Sequence, residues 1–214
     1  MPVPFDDAHV VVFDINVYLD AARVLGPPIE WEEFLRRGKQ LSAGQIPTYD
    51  RSGKDSVAAL FHATTGVFAE PERLSVWTSN HIENGIFLKA TQPTDAAHAD
   101  DRGLGWSEAD ATTILANLHD ELVWACGNGD SVAADIPYGP PQLGREDGLV
   151  LRTALEAGEP WDIKYCVTKD RNFRTVGDPD GKVVVLQPHQ WVRMVRDSRR
   201  AVDPARPPGR HRRV

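Results

Sequence analysis

The sequence predicts an α/β fold, a three-layer α/β/α sandwich in which helices flank a mostly parallel central sheet. The first observation is that short apolar runs, such as His9–Phe13 and Lys164–Thr168, alternate with segments of helical periodicity. Such runs are typical of strands buried on both faces of a parallel sheet, and the alternation is typical of βα units. The second observation is that an aspartate follows each run, Asp14 and Asp170. Because ligands bind beyond the carboxyl ends of such strands, both acids are predicted to lie at one edge.

Composition limits the class of protein. The chain has 214 residues, of which 41% are hydrophobic, and this is enough for one large α/β domain. The sequence has no signal-peptide pattern and no apolar run near the roughly 20 residues that cross a bilayer, so we expect a cytoplasmic protein that makes no membrane contact. Cys126 and Cys166 lie in apolar surroundings without CxxC or Cys/His spacing. They are predicted to be buried thiols and not members of a disulfide framework or zinc site.

Charge is distributed unevenly along the chain. The formal net charge is −7, but the last 22 residues hold eight arginines against Asp197 and Asp203, which makes that segment +6 and the remainder −13. We therefore expect a single domain over residues 1–196 and a basic, disordered tail over 197–214, because a segment rich in Pro and Arg buries little apolar area. A solvated terminus and a contact with RNA or a protein partner both remain open for the tail.

The first predicted strand, His9–Phe13, is an unbroken apolar run. A helix from Asn16 to Val24 follows, and Gly26, Pro27 and Pro28 end it. The next predicted elements are a helix Trp31–Lys39, a loop or insertion near 40–54, a helix Ser56–Thr65, a strand Leu74–Thr78 and a helix Asn80–Thr91.

The second half of the chain begins with an insertion near 92–134. Its start is acidic and rich in turn residues, and it then contains a predicted helix Ser107–Ala125 in which Ser107 is the N-cap. The elements predicted after it are a Pro/Gly-rich loop Ile136–Gly144, a helix Glu146–Ala157, strands Lys164–Thr168 and Val183–Leu186, and a last helix Gln187–Arg196.

Two helical acids stand where an apolar residue is expected. Glu83 shares a helix face with Ile86 and Ala90, and Asp147 shares a face with Val150 and Ala154. Asp147 is preferred to its neighbour Glu146, which lies off the apolar stripe. Because a buried carboxylate needs a cation or a hydrogen-bond partner, both acids are candidates for a site.

The first turns of crossover helices lie beside the carboxyl ends of parallel strands. We therefore expect Asp14, Glu83, Asp147 and Asp170 to share one rim. Oxygen ligands of this kind suit hard divalent cations such as Mg²⁺ or Mn²⁺, and a bound ion can orient water for attack on a phosphodiester. The predicted chemistry is metal-dependent hydrolysis.

Three segments carry a resemblance to a known family. Phe13–Leu19 is an apolar strand ending in Asp-x-Asn and is similar to the first motif of PIN domains. Arg145–Leu155, where Asp147 opens a helix of small and aliphatic residues, resembles the third acidic motif of that family. Cys166–Phe173 looks like its fourth motif, Val-Thr-x-Asp-x-Asp/Asn-Phe. The second motif is less defined, and Glu83 is the residue chosen for it.

The resemblance implies a metal-dependent ribonuclease. Its metal ligands and catalytic residues would be Asp14, Glu83, Asp147 and Asp170. The residues expected to support these ligands are Asn16, Thr168 and Asn172. Many small bacterial members are VapC-type toxins held inactive by a cognate antitoxin, so the implied partners are RNA and an antitoxin protein, and a homodimer stays open. This chain is longer than the usual compact toxin, with extra material in its insertions.

Other polar residues receive simpler interpretations. Arg145, Lys169 and Arg171 flank the acids and are candidate contacts for substrate phosphates. The acids interpreted as solvated helix charges are Asp20, Glu30, Glu32, Glu33, Asp110, Glu121 and Glu156. Two alternative functions remain: a PIN-like scaffold that binds RNA or protein without cutting it, and a phosphatase of the haloacid-dehalogenase type. The phosphatase would need an acid at the position of Asn16.

Overall fold

A computed structural model describes residues 8–44, 51–95, 102–126, 129–139, 143–178 and 180–202. Six strands occur in these ranges: β1 His9–Phe13, β2 Val67–Ala69, β3 Glu72–Ser79, β4 Ser131–Val132, β5 Ile163–Val167 and β6 Val183–Leu186. The eight α-helices of the same ranges are α1 Ile15–Leu25, α2 Trp31–Ser42, α3 Arg51–Ala63, α4 Asn80–Thr91, α5 Glu108–Ile114, α6 Arg145–Glu156, α7 Arg171–Val176 and α8 Pro188–Val202.

The strands form one mixed, mostly parallel sheet. Its order is β2-β3-β1-β5-β6, and β4 pairs with the end of β3. The antiparallel pair is β2–β3, and the other pairs are parallel. All five residues of β1 are buried, because this strand lies between β3 and β5. The predicted α/β class with a mostly parallel sheet is confirmed, and the arrangement is compatible with three layers.

The segment predicted as a loop near 40–54 is partly helical. Helix α2 continues to Ser42, and α3 already begins at Arg51; residues 45–50 lie outside the described ranges. A Cβ on Gly53 would lie 2.2 Å from a methyl group of Val24, so the glycine permits close contact between α3 and α1. Packing therefore outweighs the low helix propensity of this polar segment, and the loop prediction was wrong from Arg51 onward.

The predicted helix Ser107–Ala125 exists but is not regular. Ser107 caps α5, and its hydroxyl oxygen accepts a hydrogen bond from the amide of Asp110 at 3.1 Å. Beyond α5 the chain forms two π-helical segments, Leu115–His119 and Glu121–Cys126. Side chains from this region hold the loop before α2: Thr113 accepts a hydrogen bond from the amide of Ile29, and Asn117 donates one to its carbonyl, both at 2.8 Å.

Helix α8 is longer than the sequence predicts. It continues to Val202, whereas the prediction ended at Arg196 and began a disordered tail at 197. Arg199 explains the difference, because its guanidinium donates to the carbonyl oxygens of His62, Val67 and Phe68. These contacts bind the last turns of α8 to the end of α3 and to β2. The rest of the predicted tail, 203–214, lies outside the described residues.

Three short elements were not predicted. Strands β2 and β4 have three and two residues, too few to show a periodicity, and α7 has six. Cys166 is a buried free thiol, as predicted, and burial raises its pKa well above the usual value. The side chain of Cys126 lies outside the described part of the structure. None of the described helices is both long and apolar enough to cross a membrane.

Candidate active site

A cavity of about 820 Å³ lies beyond the carboxyl ends of β1 and β5. Five parts of the fold line it: the start of α1, one face of α4, Arg102 of the segment before α5, the start of α6, and the turn after β5. The polar side chains in its lining are Asp14, Asn16, His81, Asn84, Lys89, Arg102, Arg145, Glu146, Asp147 and Asp170. Three of the four predicted acids therefore meet in one place.

Asp14 is the most buried acid of the cavity, with 4% of its surface exposed. The parallel register places Phe13 opposite Val167, so that the next residues, Asp14 and Thr168, are neighbours. The Asp14 Oδ2 atom accepts hydrogen bonds from Thr168 Oγ1 at 2.5 Å and from Asn16 Nδ2 at 2.7 Å. Burial raises the pKa of Asp14 to about 6, although these donors and the amide of Ile15 act in the opposite direction.

Thr168 connects two of the acids. Its hydroxyl donates to Asp14, and the same oxygen accepts a hydrogen bond from the amide of Asp170 at 3.0 Å. Asp170 in turn caps α7, where its Oδ1 atom accepts from the amide of Phe173 at 2.8 Å. The predicted supporting position of Thr168 thus has a physical basis: one buried hydroxyl orients a carboxylate and the backbone of a second acidic residue.

Asn16 performs a similar task on the other side of Asp14. Its amide nitrogen donates to the Asp14 carboxylate, and its Oδ1 atom accepts from the amide of Lys169 at 3.1 Å. The Lys169 ammonium forms an ion pair with Asp20, which also binds Arg23. Asp20 is 7% exposed, so its interpretation as a solvated charge was wrong. Lys169 is bound to this carboxylate and does not line the cavity.

Asp147 is half-buried in the first turn of α6, where the helix dipole favours an anion. Burial raises its pKa to about 6, and the negative charges of Asp14, Asp170 and Glu146 contribute to that rise. Asp14 is affected by Asp170 in the same way. The carboxylates are therefore close enough to repel one another, and a bound cation would relieve that repulsion.

Glu83 does not reach this cavity. The α4 residues that do are His81, Asn84, Gly85, Leu88 and Lys89, which share a different face of the helix. Glu83 was predicted to point inward toward the acids; it is half-buried, and its charge acts on the buried hydroxyl of Tyr18. The apolar stripe used for the prediction runs through Ile86 and Ala90, whereas spacings of three, four and seven from His81 identify the cavity side of α4.

The remaining predicted contacts divide between the cavity and the solvent. Arg145 lines the cavity, and Arg171 and Asn172 are exposed in the first turn of α7 outside the lining. The polar residues of the lining that were not among the predicted site residues are His81, Asn84, Lys89, Arg102 and Glu146. Burial lowers the pKa of His81, and its Nε2 atom is buried without a hydrogen-bond partner in the described structure.

The donor set fits a hard divalent cation in chemistry and charge. Asp14, Asp147 and Asp170 supply carboxylate oxygens. The charged groups that shift the pKa values of Asp14 and Asp147 are all negative, so the site favours a cation. Within the described residues, however, no three potential ligands lie close enough together to hold an ion. Repulsion between the acids and the capping contact of Asp170 with Phe173 are consistent with that separation.

Comparisons of the chain with protein-family models, with curated proteins and with solved structures find no match. The α/β fold with a mostly parallel sheet and the acid-lined cavity at its carboxyl edge are therefore the basis for assigning a function.

Proposed function

We propose that this protein is a metal-dependent phosphodiesterase whose active site is the cavity between α1, α4 and α6. The observation that carries the proposal is the meeting of Asp14, Asp147 and Asp170 in one lining. These acids come from three separate segments, and each lies at a helix N-terminus. Burial raises the pKa of Asp147, and the charges of Asp14, Asp170 and Glu146 add to that rise; burial also raises the pKa of Asp14, to which the charge of Asp170 contributes less. A purely structural role does not require such a concentration of like charge.

In this proposal the three aspartates hold Mg²⁺ or Mn²⁺. The ion would supply Lewis acidity to a phosphodiester and a water of lowered pKa. Thr168 and Asn16 orient the Asp14 carboxylate through their hydrogen bonds and stabilise its charged form. Glu83 is omitted from the ligand set because it lies outside the cavity lining.

Within this class we propose a ribonuclease of the PIN type, with a three-layer sandwich. The support is the similarity of the segments around Asp14, Asp147 and Asp170 to three acidic motifs in family order. The role of a toxin paired with a cognate antitoxin rests on the same similarity. It is a narrower proposal, since nuclease chemistry does not require an antitoxin.

A scaffold that binds RNA or protein without cleavage is the second candidate. The observation that favours it is the separation of the acids, since no described group of three is arranged to hold an ion. A haloacid-dehalogenase-type phosphatase has less support. The two polar atoms of the Asn16 side chain are both used, one as donor to Asp14 and one as acceptor from Lys169, and an amide cannot replace the acid/base that this chemistry needs.

The test is cleavage of a labelled RNA with Mn²⁺, with and without EDTA. Cleavage should require the metal and should be lost in Asp14→Asn and in Asp147→Asn, which keep the side-chain shape but remove a charge. Cleavage that survives EDTA, or full activity in both variants, would overturn the nuclease assignment. Calorimetric titration with Mn²⁺ separates the two candidates, because a scaffold that lacks a metal site would show no binding.

The toxin role needs a separate experiment. Expression of the wild-type chain in bacteria should arrest growth, whereas Asp14→Asn expressed at the same level should not. Harmless overexpression of a protein that cleaves RNA in vitro would reject the toxin role and retain the nuclease.

A further inference from the structure

The cavity has a basic side that the acid site does not use. Lys89 and Arg102 both line it, and neither belongs to the acidic motifs. Lys89 lies in the last turn of α4. Arg102 comes from the insertion between α4 and α5 and is exposed. Two cations from separate segments therefore border the same space as three aspartates.

Backbone contacts fix the position of Arg102 beside α4. The amide of Gly103 donates a hydrogen bond to the carbonyl of Pro93 at 3.0 Å. The amide of Leu104 donates to the carbonyl of Lys89 at 3.1 Å, and that of Trp106 donates to the carbonyl of Ala90 at 3.0 Å. The bonds from Leu104 and Trp106 satisfy carbonyl groups of the last turn of α4, where helical carbonyls lack a partner within the helix.

Only glycine fits at the residue after Arg102. A Cβ on Gly103 would lie 2.0 Å from the carbonyl oxygen of Lys89. The close approach of the two backbones is therefore required to place the Arg102 and Lys89 side chains on one border of the cavity.

Lys89 lies about one turn along α4 from the part of the helix that contacts α1. A Cβ on Gly85 would meet the Ile15 side chain at 2.3 Å, which places this turn of α4 against the residue that follows Asp14. Lys89 lies four residues further along the helix, a rise of about 6 Å. That rise is comparable to one nucleotide unit of an extended strand. A strand with one phosphate at the aspartates would bring a neighbouring phosphate to Lys89 and Arg102.

We propose that Lys89 and Arg102 form a second phosphate-binding site, which holds the RNA backbone next to the phosphate at Asp14, Asp147 and Asp170. This inference rests on the proposed function, because it takes single-stranded RNA as the ligand. Lysine and arginine suit this role, since contacts to the phosphate backbone come from cations and position a strand without reading its sequence. The insertion before α5 thereby contributes a substrate contact.

The experiment measures binding and not cleavage. A fluorescent single-stranded RNA is titrated with the full chain in EDTA, at several salt concentrations, for the wild type, Lys89→Gln, Arg102→Gln and the double variant. Each single change should weaken binding about three- to tenfold and reduce the salt dependence of log K by about 0.7 for each lost phosphate contact. Arg102→Lys should keep most of the salt dependence. A DNA strand of the same sequence should show equal losses, because the contact is to phosphate.

Arg193→Gln is the matched control. Arg193 is an exposed arginine of α8 outside the cavity lining, and its loss changes the net charge by the same amount. Equal effects of Arg193→Gln and Arg102→Gln would overturn the proposal, as would unchanged binding in the double variant or no binding by the wild type. RNA binding is measured without metal, so the two proposals are tested separately. The phosphate site can be rejected while Mn²⁺-dependent cleavage persists, and the nuclease can be rejected while the phosphate site binds RNA.

Discussion

Thr168 donates a hydrogen bond of 2.5 Å to the Oδ2 atom of Asp14, across 154 positions of the chain. The contact follows from the parallel pairing of β1 and β5, which places Phe13 opposite Val167. Both residues are buried, and the hydroxyl lowers the pKa of a carboxyl that burial raises. This bond therefore stabilises the charged form of Asp14.

Thr168→Val should destabilise the protein in a pH-dependent way. Valine keeps the shape but leaves the buried carboxylate with one donor fewer, a loss of about 1–3 kcal/mol in the free energy of unfolding. The loss should be larger at about pH 8 than at about pH 5, because the hydroxyl favours the ionised form of Asp14. Urea unfolding in EDTA at both pH values measures it. Thr168→Ser retains the hydroxyl and is the control; a pH-independent loss in Thr168→Val would contradict the assigned role.

Asp14→Asn should stabilise the metal-free protein at neutral pH. The pKa of Asp14 is 3.8 when unfolded and about 6 when folded, so the folded state keeps a proton that the unfolded state releases between these values. The contribution of Asp14 to stability thus falls as the pH rises from about 4 to about 6. Relative to wild type, the variant should gain about 1–3 kcal/mol over this interval and level off above it. Urea unfolding at several pH values measures the difference in the free energy of unfolding between the variant and the wild type. A difference that does not change with pH would show that the pKa of Asp14 is not raised.

Mn²⁺ should raise the melting temperature, and EDTA should reverse the effect. An ion that binds only the folded protein stabilises it by mass action. The increase should be larger at about pH 8 than at about pH 5, because the carboxyl groups of Asp14 and Asp147 must lose their protons to act as ligands. Differential scanning fluorimetry measures it. The increase should be much smaller in Asp147→Asn, and an equal increase in that variant would place the ion elsewhere.

Glu83→Gln should retain metal-dependent cleavage within about threefold of the wild type. The charge of Glu83 acts on the Tyr18 hydroxyl, and Glu83 does not line the cavity. Asp147→Asn is the matched comparison, since it removes the same charge from the first turn of another helix. Its cleavage rate should fall by at least about 100-fold, more than is typical when a residue that only orients a metal ligand is replaced. Initial rates of RNA cleavage by Glu83→Gln, Asp147→Asn and the wild type measure both effects. A loss in Glu83→Gln as large as that of Asp147→Asn would return Glu83 to the ligand set.

Arg199→Met should destabilise the protein by about 2–3 kcal/mol. The guanidinium donates to the carbonyls of His62, Val67 and Phe68, and methionine leaves these acceptors without their partner. The free energy of unfolding in urea measures the loss. Arg200→Met is the control, because Arg200 is exposed and its pair with Asp197 spans 3.9 Å, so its removal should change stability by less than about 0.5 kcal/mol. Equal effects would show that the Arg199 contacts do not hold α8.

Much of the fold could be predicted because burial leaves a pattern in the sequence. The apolar runs that became β1, β5 and β6 were placed within one or two residues. The start of α3 at Arg51, the π-helical form of the two segments after α5 and the end of α8 were not predicted. Each of these depends on contacts between distant segments, such as Gly53 against Val24 or Arg199 against Phe68.

The candidate site was predictable in part for the same reason. Asp14 and Asp170 follow apolar strands, and Asp147 opens an amphipathic helix, so local pattern was enough to select them. Which residues of α4 face the cavity was not a local property. Glu83 and Asn84 are adjacent in sequence, and only the packing of Gly85 against Ile15 decides which of them lines it.

The sequence by itself determined the α/β class, the parallel core strands and the three aspartates at their carboxyl edge. These follow from periodicity and strand-end position, which are local features of the chain. The tertiary structure alone decided that Thr168 binds Asp14, that Lys169 pairs with Asp20, and that Lys89 and Arg102 border the same cavity. The physical reason is that strand register, helix rotation and side-chain pairing are set by close packing and hydrogen bonding between segments far apart in sequence.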